Sequence, residues 1–485
     1  MNLHTLIKGL DIINRSKNEI ADITVEGITD NSAEVKSGFL FLAIKGNDVD
    51  GHDFIEEAVR SGASVVIGEK DYTDISVPYI QIKNSRKVLG DISNIFYRDP
   101  SSKKIMIGIT GTNGKTTTSY MLKYILEENG IPCSIIGTIE NIINGKSVSS
   151  LNTTPNSLEL HKLISSSKDE VIIIEVSSHG LIQYRLEGLQ FDYCLFTNLD
   201  HDHLDFHGSI EEYFRAKSLL FGKMKPDGQA IINADDYWGE KLGELLKSQG
   251  KDTFLIGKSD QCSLKISEYH NMKFNLKENG ESFKVHLPMP GFHNLFNTAM
   301  AYSTARMLNV SREHVLKALS KFPGVTGRFE VIEQINGSTV VIDYAHTADA
   351  IFHCLKTARD CGAKRIIHIF GFRGDRDASK REEMANISSE LSDLFILTTD
   401  DLNSVSYDDM AMSLQELNEK YNNNGIVIPD RTLAIKQALE MAKKGDYIVI
   451  TGKGHEQFQQ PFSLPTHSDK DTISFINEQR NQKDI

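Results

Sequence analysis

Short apolar runs alternate with amphipathic segments along most of the chain. The β-branched run at residues 105–109 predicts a buried strand, and the segment SYMLKYILEENG that soon follows has the apolar spacing of a helix. The alternation continues to about residue 325 and resumes from STVVIDYAHT to DYIVITGKGHE. Strands that alternate with helices are typical of a mainly parallel sheet covered by helices on both faces. The pattern therefore predicts an α/β fold.

Two interruptions of this pattern divide the 485 residues, which are too many for one hydrophobic core. RDPSS at 98–102 stands just before the strand at 105–109, and PGVTGR at 323–328 precedes STVVIDYAHT. We predict a small α/β domain at residues 1–99, a central parallel-sheet domain of the phosphate-loop ATPase type at 100–325, and a Rossmann-like domain at 326–485. Roughly the last 15 residues are polar and are predicted to fray.

Composition and charge narrow the function. The net charge is −13 and the pI is near 5.7, which argues against a nucleic acid or an anionic membrane as the main partner. The five cysteines include no C-x-x-C pair, and no apolar run approaches ~18 residues. The N-terminus lacks the apolar core of a signal peptide. These features predict a soluble, cytoplasmic protein with reduced thiols.

The segment between the strand at 105–109 and the following helix carries the strongest chemical signal. It reads GTNGKTTT, a glycine turn followed by a lysine and three threonines. Backbone N–H groups in such a turn point inward, and the helix N-terminus and the lysine add positive charge, so the turn can hold a nucleotide triphosphate. The glycines stand at 108, 111 and 114 and position 109 is Ile, which makes this a variant of the phosphate loop. The residues predicted to bind ATP here are Gly111, Thr112, Asn113, Gly114, Lys115, Thr116 and Thr117.

Two further strands end in polar side chains. One ends with Glu175, and the next is followed by alternating aspartates and histidines from Asp200 to His207. Because the carboxyl ends of parallel strands line the ligand crevice, both clusters are predicted to face the phosphate loop. The second cluster fits three interpretations: a dinuclear metallohydrolase site, a solvated loop, or ligands that join Glu175 around a second Mg²⁺ near the nucleotide. The third is favoured, because a hydrolase would leave the phosphate loop unexplained.

Eleven motifs follow one another in the order found in the Mur ligases, a family that the chain resembles over nearly its whole length. They are GTNGKTTT, LNTTPNS, EVSSHGLIQYR, TNL-x-x-DHLD-x-HG, Y-F-x-A-K, INADD, P-G-x-HN-x-x-N, GRFE, DYAHT, GDRD-x-x-KR and GKGHE. Within the family, the resemblance is greatest to the members that add the third residue of the peptide.

This resemblance implies an enzyme that uses ATP to join a carboxylate to an amine in peptidoglycan precursor synthesis. The carboxylate attacks the γ-phosphate to give an acyl phosphate, and the amine then displaces phosphate. The expected reaction adds the third amino acid to UDP-N-acetylmuramoyl-L-alanyl-D-glutamate, with Mg²⁺ as cofactor. The protein is expected to act as a monomer.

The resemblance also implies catalytic roles for residues near the strand ends. Lys115 is expected to contact the phosphates and Thr116 the first Mg²⁺, and Glu175 and His203 are expected to take part in metal binding. Lys217, in YFRAK, is expected to carry a CO₂-derived carbamate (N6-carboxylysine), which turns a cation into an anionic oxygen ligand of the metal. The alternative is an unmodified lysine that lies along a helix surface.

Further motif positions imply the nucleotide and substrate contacts. The hinge between the second and third domains is expected to hold ATP through Asn294, Asn297, Arg328 and Asp343. The UDP-sugar and its peptide are expected at Ser32, Asn47, Thr153, Thr154, Ser177, Gln183 and Arg185. The family's common Asp-Ser-Arg reads Asn31-Ser32-Ala33 in this chain, so the substrate contact in the first domain departs from the family pattern.

The incoming amino acid is expected in the third domain, at Arg376, Asp400, Asp401, Asn403, Gly452 and Glu456. Ligases selective for meso-diaminopimelate carry Asp-Asn-Pro-Arg, whose arginine binds the second carboxylate, whereas residues 400–403 here read Asp-Asp-Leu-Asn. Lysine-adding relatives carry Asp-Asp-Pro-Asn, which differs only at Leu402. Because Asn403 offers no cation and paired aspartates favour an ammonium group, we expect L-lysine, with meso-diaminopimelate as the alternative if another cation substitutes.

Two rival hypotheses stay open at this point. A paralogue could keep the ATP-driven ligation but join another amino acid or acceptor, which the departures at Ala33 and Leu402 would fit. A nucleotide-binding regulator could keep the fold without the activity. It would be expected to lose phosphate or metal residues, and Lys115, Glu175 and Lys217 are all present.

Overall fold

The computed structural model describes residues 1–15, 23–46, 49–72, 74–270, 272–375, 379–420 and 425–483. Strands of the described residues form three separate sheets, of five, eleven and six strands. Each sheet lies within one of the three predicted sequence ranges, in chain order, and the α/β fold class is confirmed. Asn47 and Arg376, two of the expected site residues, lie outside the described residues. No helix of the described part is long and apolar enough to cross a membrane.

The first sheet has the strand order β1-β5-β4-β3-β2, with β1 antiparallel to β5 and the other pairs parallel. Leu40 and Leu42 pack into one core and Phe41 into a second, because successive strand residues face opposite sides of a sheet. The elements are β1 (Ile12–Arg15), β2 (Gly27–Thr29), β3 (Phe39–Leu42), β4 (Ala63–Gly68) and β5 (Tyr79–Ile82), with α1 (Leu3–Leu6), α2 (Ile55–Arg60) and α3 (Ser85–Phe96).

The central sheet is built around seven parallel strands, in the order β7-β10-β6-β11-β12-β13-β14, with antiparallel strands β8, β9, β15 and β16 added at its two edges. Its strands are β6 (Ile105–Thr110), β7 (Cys133–Ile136), β8 (Glu140–Ile143), β9 (Lys146–Ser149), β10 (Val171–Glu175), β11 (Phe191–Phe196), β12 (Met224–Asn233), β13 (Asp252–Gly257), β14 (Leu264–His270), β15 (Lys273–Glu278) and β16 (Glu281–His286). Its helices are α4 (Lys115–Glu128), α5 (Ser157–Ser166), α6 (Ser178–Ile182), α7 (Leu204–His207), α8 (Ile210–Ser218), α9 (Tyr237–Ser248), α10 (His293–Met307) and α11 (Arg312–Leu319).

Strand β6 stands in the middle of this sheet because it is apolar on both faces. Ile107 and Ile109 pack into one core and Met106 into the other, as expected for a strand covered by helices on both sides. Glu175 of β10 pairs with Ile109, and Phe196 of β11 pairs with Thr110. The loops after β10 and β11 therefore flank the phosphate loop.

The third sheet has the order β17-β18-β22-β19-β20-β21 and is parallel except for β17. Its elements are β17 (Glu330–Glu333), β18 (Thr339–Ile342), β19 (Arg365–Phe372), β20 (Leu394–Thr399), β21 (Gly425–Val427) and β22 (Asp446–Ile450), with α12 (Ala348–Asp360), α13 (Ser379–Leu391), α14 (Tyr407–Glu419), α15 (Arg431–Met441) and α16 (Asp469–Lys483).

The prediction that the last residues fray is wrong for the described positions up to residue 483, because these belong to α16, which is docked on the third sheet. Ile473 and Ile476 are 1% and 5% exposed and belong to a core formed with β18, β19 and β22. Asp469, at the start of the helix, forms a fully buried ion pair with Arg431 at 2.7 Å. Two apolar residues one turn apart and one buried charge pair are enough to hold an otherwise polar helix in place.

Candidate active site

A cavity of about 440 Å³ lies between the carboxyl ends of the central strands and the loop after β18. Residues of both the second and the third domain line it, together with residues of α10. The expected site residues in its wall are Thr112, Asn113, Gly114, Lys115, Thr116, Thr117, Thr153, Ser177, His203, Lys217, Asn294, Asn297, Arg328 and Asp343. Most of the residues expected to bind ATP therefore share one space.

The phosphate loop connects β6 to α4 and needs glycine at two positions. The φ angle of Gly111 is 145° and that of Gly114 is 88°, and L side chains rarely adopt such values. A Cβ on Gly111 would lie 1.9 Å from Oγ1 of Thr197, and a Cβ on Gly114 would lie 2.3 Å from Oδ1 of Asn297. The two glycines let the loop turn tightly, so that α4 begins at Lys115 with its N-terminus beside the cavity.

Lys115 lies over the loop that precedes it. Its Nζ donates hydrogen bonds to the carbonyl oxygens of Gly111 and Thr112, each at 2.9 Å. Burial lowers the pKa of Lys115, and the nearby Glu175 opposes this effect. The hydrogen-bond partners of the ammonium are neutral carbonyl groups, so its charge is available to an anion in the cavity.

Glu175 is fully buried and is directed at the start of α4. Its Oε2 accepts hydrogen bonds from the hydroxyl groups of Thr116 and Thr138, both at 2.8 Å, and its Oε1 accepts one from Ser119 at 3.4 Å. Three hydroxyl groups thus hold one carboxylate directly beside the phosphate loop. Thr138 belongs to a loop after β7 and to none of the motifs, so only the fold reveals its part in the site.

Arg328 brings a positive charge from the third domain to the phosphate loop. Its Nη2 donates to Oγ1 of Thr116 at 3.2 Å, and its guanidinium lies 4.5 Å from the ring centre of Tyr344. The Nε of Arg328 is buried and has no hydrogen-bond partner within the described chain. Asp343 holds the backbone next to Arg328, because its carboxylate accepts hydrogen bonds from the backbone N–H groups of Phe329 at 2.6 Å and Ala345 at 2.7 Å. Arg328 therefore has unused donor capacity next to Thr116.

Lys217 is 1% exposed, so the interpretation of this residue as a lysine on a helix surface is wrong. Its Nζ donates to the carbonyl oxygen of Gly111 at 2.8 Å and lies 4.5 Å from the ring centre of Tyr213. Burial lowers the pKa of Lys217 well below its ordinary value, and the charge of Lys115 lowers it further. The side chain of α8 is thus a desolvated amine that lies behind the phosphate loop.

Histidines of α6 and of the segment around the start of α7 pack together near the cavity. His203 adopts a φ of 53°, and its Nε2 lies 3.3 Å from Oδ2 of Asp202. The rings of His179 and His203 meet edge to face with their centres 4.9 Å apart. Burial lowers the pKa of both His203 and His207 to about 4, so these rings are neutral at neutral pH and can act as ligands or acceptors.

Asp202 connects this cluster to the third domain. Burial alone would raise its pKa, but His203, His346 and Lys380 outweigh burial and hold the pKa below its usual range. The Nζ of Lys380, at the start of α13, lies 2.6 Å from Oδ1 of Asp202. This is a partly buried ion pair across the boundary between the second and third domains.

The donor groups of the cavity suit Mg²⁺ better than a dinuclear metallohydrolase centre. In the described ranges, no three His, Cys, Asp or Glu side chains come together as a metal-binding group. A dinuclear centre needs several such ligands, whereas Mg²⁺ is bound in proteins through one or two carboxylates and completes its shell with phosphates and water. Glu175 and the hydroxyl of Thr116 are 2.8 Å apart and provide hard oxygen ligands of this kind.

Two asparagines at the start of α10 form a relay along the cavity wall. Oδ1 of Asn297 accepts from Oγ1 of Thr118 at 3.3 Å, and its Nδ2 donates to Oδ1 of Asn294 at 2.9 Å. Nδ2 of Asn294 donates in turn to the carbonyl oxygen of Pro290 at 2.6 Å. The relay ties α10 to the phosphate helix, and its role in nucleoside binding stays a prediction.

Five of the residues expected to bind the UDP-sugar and its peptide lie in the second domain, on segments around the end of β10. The hydroxyl of Thr154 donates to the carbonyl oxygen of Glu175 at 2.8 Å, and Nη1 of Arg185 donates to the carbonyl oxygen of Thr154 at 2.6 Å. Oε1 of Gln183 accepts from Nη2 of Arg185 at 2.8 Å. Ser177 caps α6 through the N–H of Gly180 at 3.1 Å. Thr153 stands nearby, with its hydroxyl 3.1 Å from that of Thr138.

Ser32, by contrast, lies in the first domain and outside the wall of the cavity. Its hydroxyl donates to Glu57 at 3.4 Å. The neighbouring Asp30 accepts from Nδ2 of Asn156, in the second domain, at 3.3 Å, and burial raises the pKa of Asp30. This contact joins the segment expected to hold the nucleotide-sugar to the segment expected to hold its peptide.

The residues expected to bind the amino acid surround the end of β20, but the two aspartates are not free. Asp400 and Asp401 have side chains 4% exposed, and Nζ of Lys453 lies 2.7 Å from Oδ1 of Asp401 and 3.5 Å from Oδ1 of Asp400. Nε of Arg373 lies 3.5 Å from Oδ2 of Asp400. Asp400 and Asp401 are therefore not a free acidic pair, because Lys453 and Arg373 already lie beside them, and their role in binding the amino acid stays a prediction.

Asn403 and the loop after β19 hold each other in place. Asn403 has a φ of 51°, and its Nδ2 donates to the carbonyl oxygen of Gly374 at 2.7 Å. The N–H of Gly374 donates to the carbonyl oxygen of Asp401 at 2.9 Å. Gly452 adjoins the same loop, since a Cβ there would lie 3.4 Å from Oδ2 of Asp400. Asn403 is thus a structural tie between two loops.

A carboxyl pair at the domain boundary was not foreseen from the sequence. Asp200 hydrogen-bonds Asp349 of α12, and Asp349 also lies 3.2 Å from Nε2 of His353 and accepts from Nδ2 of Asn113 at 3.4 Å. Burial and the neighbouring Asp349 together raise the pKa of Asp200 to about 6, with a smaller contribution from Asp236. Since His353 and Asn113 favour the ionised form of Asp349, Asp200 carries the shared proton.

This shared proton predicts that the contact weakens as pH rises. In the unfolded chain Asp200 would lose its proton near pH 4, whereas the folded protein keeps it up to about pH 6. The stabilisation is therefore complete at low pH and is lost as pH rises through about 6. We expect the apparent melting temperature of Asp200→Asn to gain on that of the wild type between about pH 4 and pH 7, because the amide is always neutral. Parallel melting curves across this range would contradict the shared proton.

Family comparisons place matches along most of the chain. Residues 24–97 match the description "Mur ligase family, catalytic domain", residues 109–305 match "Mur ligase middle domain", and residues 327–454 match "Mur ligase, glutamate ligase domain". The matched segments correspond in order to the three sheets.

Among curated proteins, the chain is 38% identical over 474 residues to UDP-N-acetylmuramoyl-L-alanyl-D-glutamate–2,6-diaminopimelate ligase of Clostridium botulinum, with 95% of each chain covered. It is 38% identical over 469 residues to the protein of the same name from Fusobacterium nucleatum subsp. nucleatum, with 93% of this chain and 94% of that one covered. A solved structure of a ligase of this name matches with a TM-score of 0.65 at 26% identity, over 94% of this chain and 95% of that one. The fold is also shared with MurF ligase from Thermotoga maritima in complex with ADP, with a TM-score of 0.65 at 20% identity, over 96% of this chain and 100% of that one.

Proposed function

Because the chain belongs to the Mur ligase family, the ATP-dependent peptide ligases of peptidoglycan synthesis, we propose that it adds diaminopimelate to UDP-N-acetylmuramoyl-L-alanyl-D-glutamate. The observation that carries the proposal is the end-to-end similarity, at 38% identity over 95% of both chains, to a ligase named for this reaction. The reaction is placed in the cytoplasm, with the protein acting as a monomer.

The choice of diaminopimelate over lysine has two supports. Several relatives that match nearly the full chain are named as diaminopimelate ligases. Part of the case for lysine was that Asp400 and Asp401 would be free carboxylates, but Lys453 lies 2.7 Å from Asp401 and 3.5 Å from Asp400. A lysine ammonium would therefore have to compete with a buried internal lysine.

In the first half of the reaction, the carboxylate of the dipeptide attacks the γ-phosphate of ATP and forms an acyl phosphate and ADP. Lys115 and Arg328 approach Thr116 from two different domains, and both present cationic donors to the space where the phosphates would lie. Negative charge that accumulates on the transferring phosphoryl group is stabilised by such fixed cations. Glu175, Thr116 and His203 would hold Mg²⁺, which supplies further charge neutralisation to the phosphates when bound.

Lys217 is proposed to be carbamylated. Its amine is 1% exposed, its nearest polar contact is the carbonyl oxygen of Gly111 at 2.8 Å, and no described carboxylate pairs with it. The neutral amine would attack the carbon of CO₂, form a C–N bond and release one proton, which leaves an anionic carbamate. Such a group would convert a buried amine without a carboxylate partner into a metal-binding oxygen donor near Lys115 and Tyr213.

In the second half, the amine of the amino acid displaces phosphate from the acyl phosphate, which must be protected from water. Several contacts hold the third domain over the second, among them Arg328 with Thr116 at 3.2 Å, Lys380 with Asp202 at 2.6 Å, and Asp349 with Asn113 at 3.4 Å. Closure of this kind excludes water and brings the amino acid to the activated carboxyl group.

The proposal predicts a product whose mass can be measured. With UDP-N-acetylmuramoyl-L-alanyl-D-glutamate, ATP and Mg²⁺, we expect phosphate release and a product mass that corresponds to one added diaminopimelate. L-lysine and L-ornithine, offered separately, are expected to be poorer substrates. A lysine adduct without a diaminopimelate adduct would overturn the choice of amino acid, and the absence of any adduct would favour a ligase with another acceptor.

A further inference from the structure

We propose that Arg373 binds the distal carboxylate of the incoming amino acid and so takes the role of an arginine at position 403. This inference rests on the proposed ligation of diaminopimelate. It concerns a residue outside the quoted motifs, since Arg373 stands just before the GDRD segment, between β19 and Gly374.

The charged residues around the end of β20 divide into a buried group and an accessible pair. The side chains of Asp400, Asp401 and Lys453 are 4%, 4% and 1% exposed, and the ammonium of Lys453 lies between the two carboxylates and pairs with both. Arg373 and Glu456 are 27% and 26% exposed, and the Nη2 of Arg373 is bonded to Oε2 of Glu456. Among the described residues at this strand end, a substrate can therefore reach Arg373 as a cation and Glu456 as an anion, and these two are paired with each other.

This pair is complementary to a zwitterion. The distal centre of diaminopimelate carries an ammonium and a carboxylate on the same carbon. Its carboxylate can take the place of Glu456 on Arg373 while its ammonium takes the place of Arg373 on Glu456, so that every charge keeps a partner. L-lysine is the same molecule with hydrogen in place of the distal carboxylate. Its ammonium would pair with Glu456, and Arg373 would then have one anionic partner fewer.

The remaining contacts of Arg373 keep its guanidinium in this position. Its Nε lies 3.5 Å from Oδ2 of Asp400 and 3.9 Å from Oδ2 of Asp401. The buried aspartates thus hold one side of the guanidinium and leave the Nη2 edge to Glu456. A planar guanidinium held in this way can bind a carboxylate through two parallel N–H groups, which an ammonium cannot do.

Asn403 already has a structural role. Nδ2 of Asn403 donates to the carbonyl oxygen of Gly374 at 2.7 Å, directly after Arg373 in the chain. Asn403 therefore supports the loop that carries the arginine. The positive charge required for a second carboxylate is present in the site, but it comes from the loop after β19.

The accessible pair also adjoins the ATP cavity. Oε1 of Glu456 accepts a hydrogen bond from the hydroxyl of Tyr344 at 3.1 Å, and the ring of Tyr344 lies under the guanidinium of Arg328. Both Tyr344 and Arg328 line the cavity that contains the phosphate loop. An amino acid whose distal centre rests on Arg373 and Glu456 would therefore extend towards the phosphates.

The test compares Arg373→Gln and Arg373→Lys with the wild type, using diaminopimelate and L-lysine as a matched pair of substrates. We expect Arg373→Gln to raise the KM for diaminopimelate about 10- to 100-fold, as expected for loss of one partner from a partly exposed charge pair, with a smaller change in kcat. The KM for L-lysine should fall or stay the same, because Glu456 is released. The KM of Arg373→Lys for diaminopimelate should lie between those of the wild type and Arg373→Gln, because lysine keeps the positive charge but lacks the two parallel N–H groups of the guanidinium.

Arg359→Gln is the matched control. Arg359 is also a partly exposed arginine of the third domain, and it pairs with Asp393 at 2.8 Å, away from the cavity wall. This variant should leave both substrates unaffected.

The outcomes separate this inference from the proposed function. If the wild type adds diaminopimelate and Arg373→Gln leaves its KM unchanged, or weakens both substrates equally, only the inference about Arg373 is overturned. If the wild type adds lysine and not diaminopimelate, both the inference and the proposed amino acid are overturned. A selective loss of diaminopimelate in Arg373→Gln with partial recovery in Arg373→Lys supports both.

Discussion

Replacing Lys115 with alanine is expected to abolish ATP turnover, with a loss of about 10³-fold or more in kcat. Its ammonium is held by two neutral carbonyl oxygens at 2.9 Å and is one of two cations, with Arg328, that lie next to Thr116. A fixed cation at this place stabilises charge that develops on the phosphoryl group only in the transition state, so the effect should fall on kcat. Release of ADP and phosphate in the presence of all substrates is the measurement.

The control for this variant is Lys103→Ala. Lys103 is an exposed lysine just before β6, on the same stretch of chain but outside the cavity wall. Both variants should melt at temperatures close to that of the wild type, because Lys115 contributes only backbone hydrogen bonds to the loop. Wild-type turnover in a folded Lys115→Ala protein would remove the phosphate-loop assignment.

Replacing Lys217 with alanine is expected to reduce activity by about 10²-fold or more, because the variant cannot form the carbamate proposed as a metal-binding oxygen donor. Lys217 is 1% exposed and its amine has only the carbonyl oxygen of Gly111 and the ring of Tyr213 as near contacts. An alanine there leaves a small space next to the carbonyl oxygen of Gly111 and the ring of Tyr213. A short carboxylic acid such as acetate could enter this space and supply the missing oxygen donor, so partial rescue by acetate is expected.

A structural role for Lys217 would give a different pattern. Lys217→Met keeps most of the buried volume and should lose activity as Lys217→Ala does, but should not be rescued by acetate, because the space is filled. In the wild type, carbon-13-labelled bicarbonate should give a carbamate signal that is absent from both variants. Full activity of Lys217→Ala, with or without bicarbonate, would contradict the carbamate.

The structure links the two halves of the proposed reaction through a short series of side chains. Thr116 contacts Arg328 at 3.2 Å, Arg328 lies on Tyr344, and Tyr344 donates to Glu456 at 3.1 Å. The series runs from the phosphate loop to the site proposed for the amino acid. We infer that binding of the amino acid and correct placement of Arg328 favour each other, since both depend on the position of Tyr344.

Much of this protein was determined by local features of its sequence. The run at 105–109 and the glycines of GTNGKTTT predict β6, a tight turn and α4, because a buried apolar strand and two positions without a Cβ leave few alternatives. The rule that carboxyl ends of parallel strands meet at one edge placed Glu175 beside the phosphate loop, and its Oε2 lies 2.8 Å from Thr116. The order of the motifs led to the family, which the comparisons confirm.

Only the tertiary structure decided which charges are available to a ligand. Asp400 and Asp401 read as a free acidic pair in the sequence, but Lys453, 52 residues away, occupies them in the fold. Arg373 carries no motif signal in the sequence, and in the fold it is an accessible cation of that site. The polar C-terminal segment was predicted to fray from its sequence, but it forms α16, because Asp469 pairs with Arg431 in the core. In each case the free energy of a charge depends on its burial and on its partners, and those partners are brought together only by packing between distant segments of the chain.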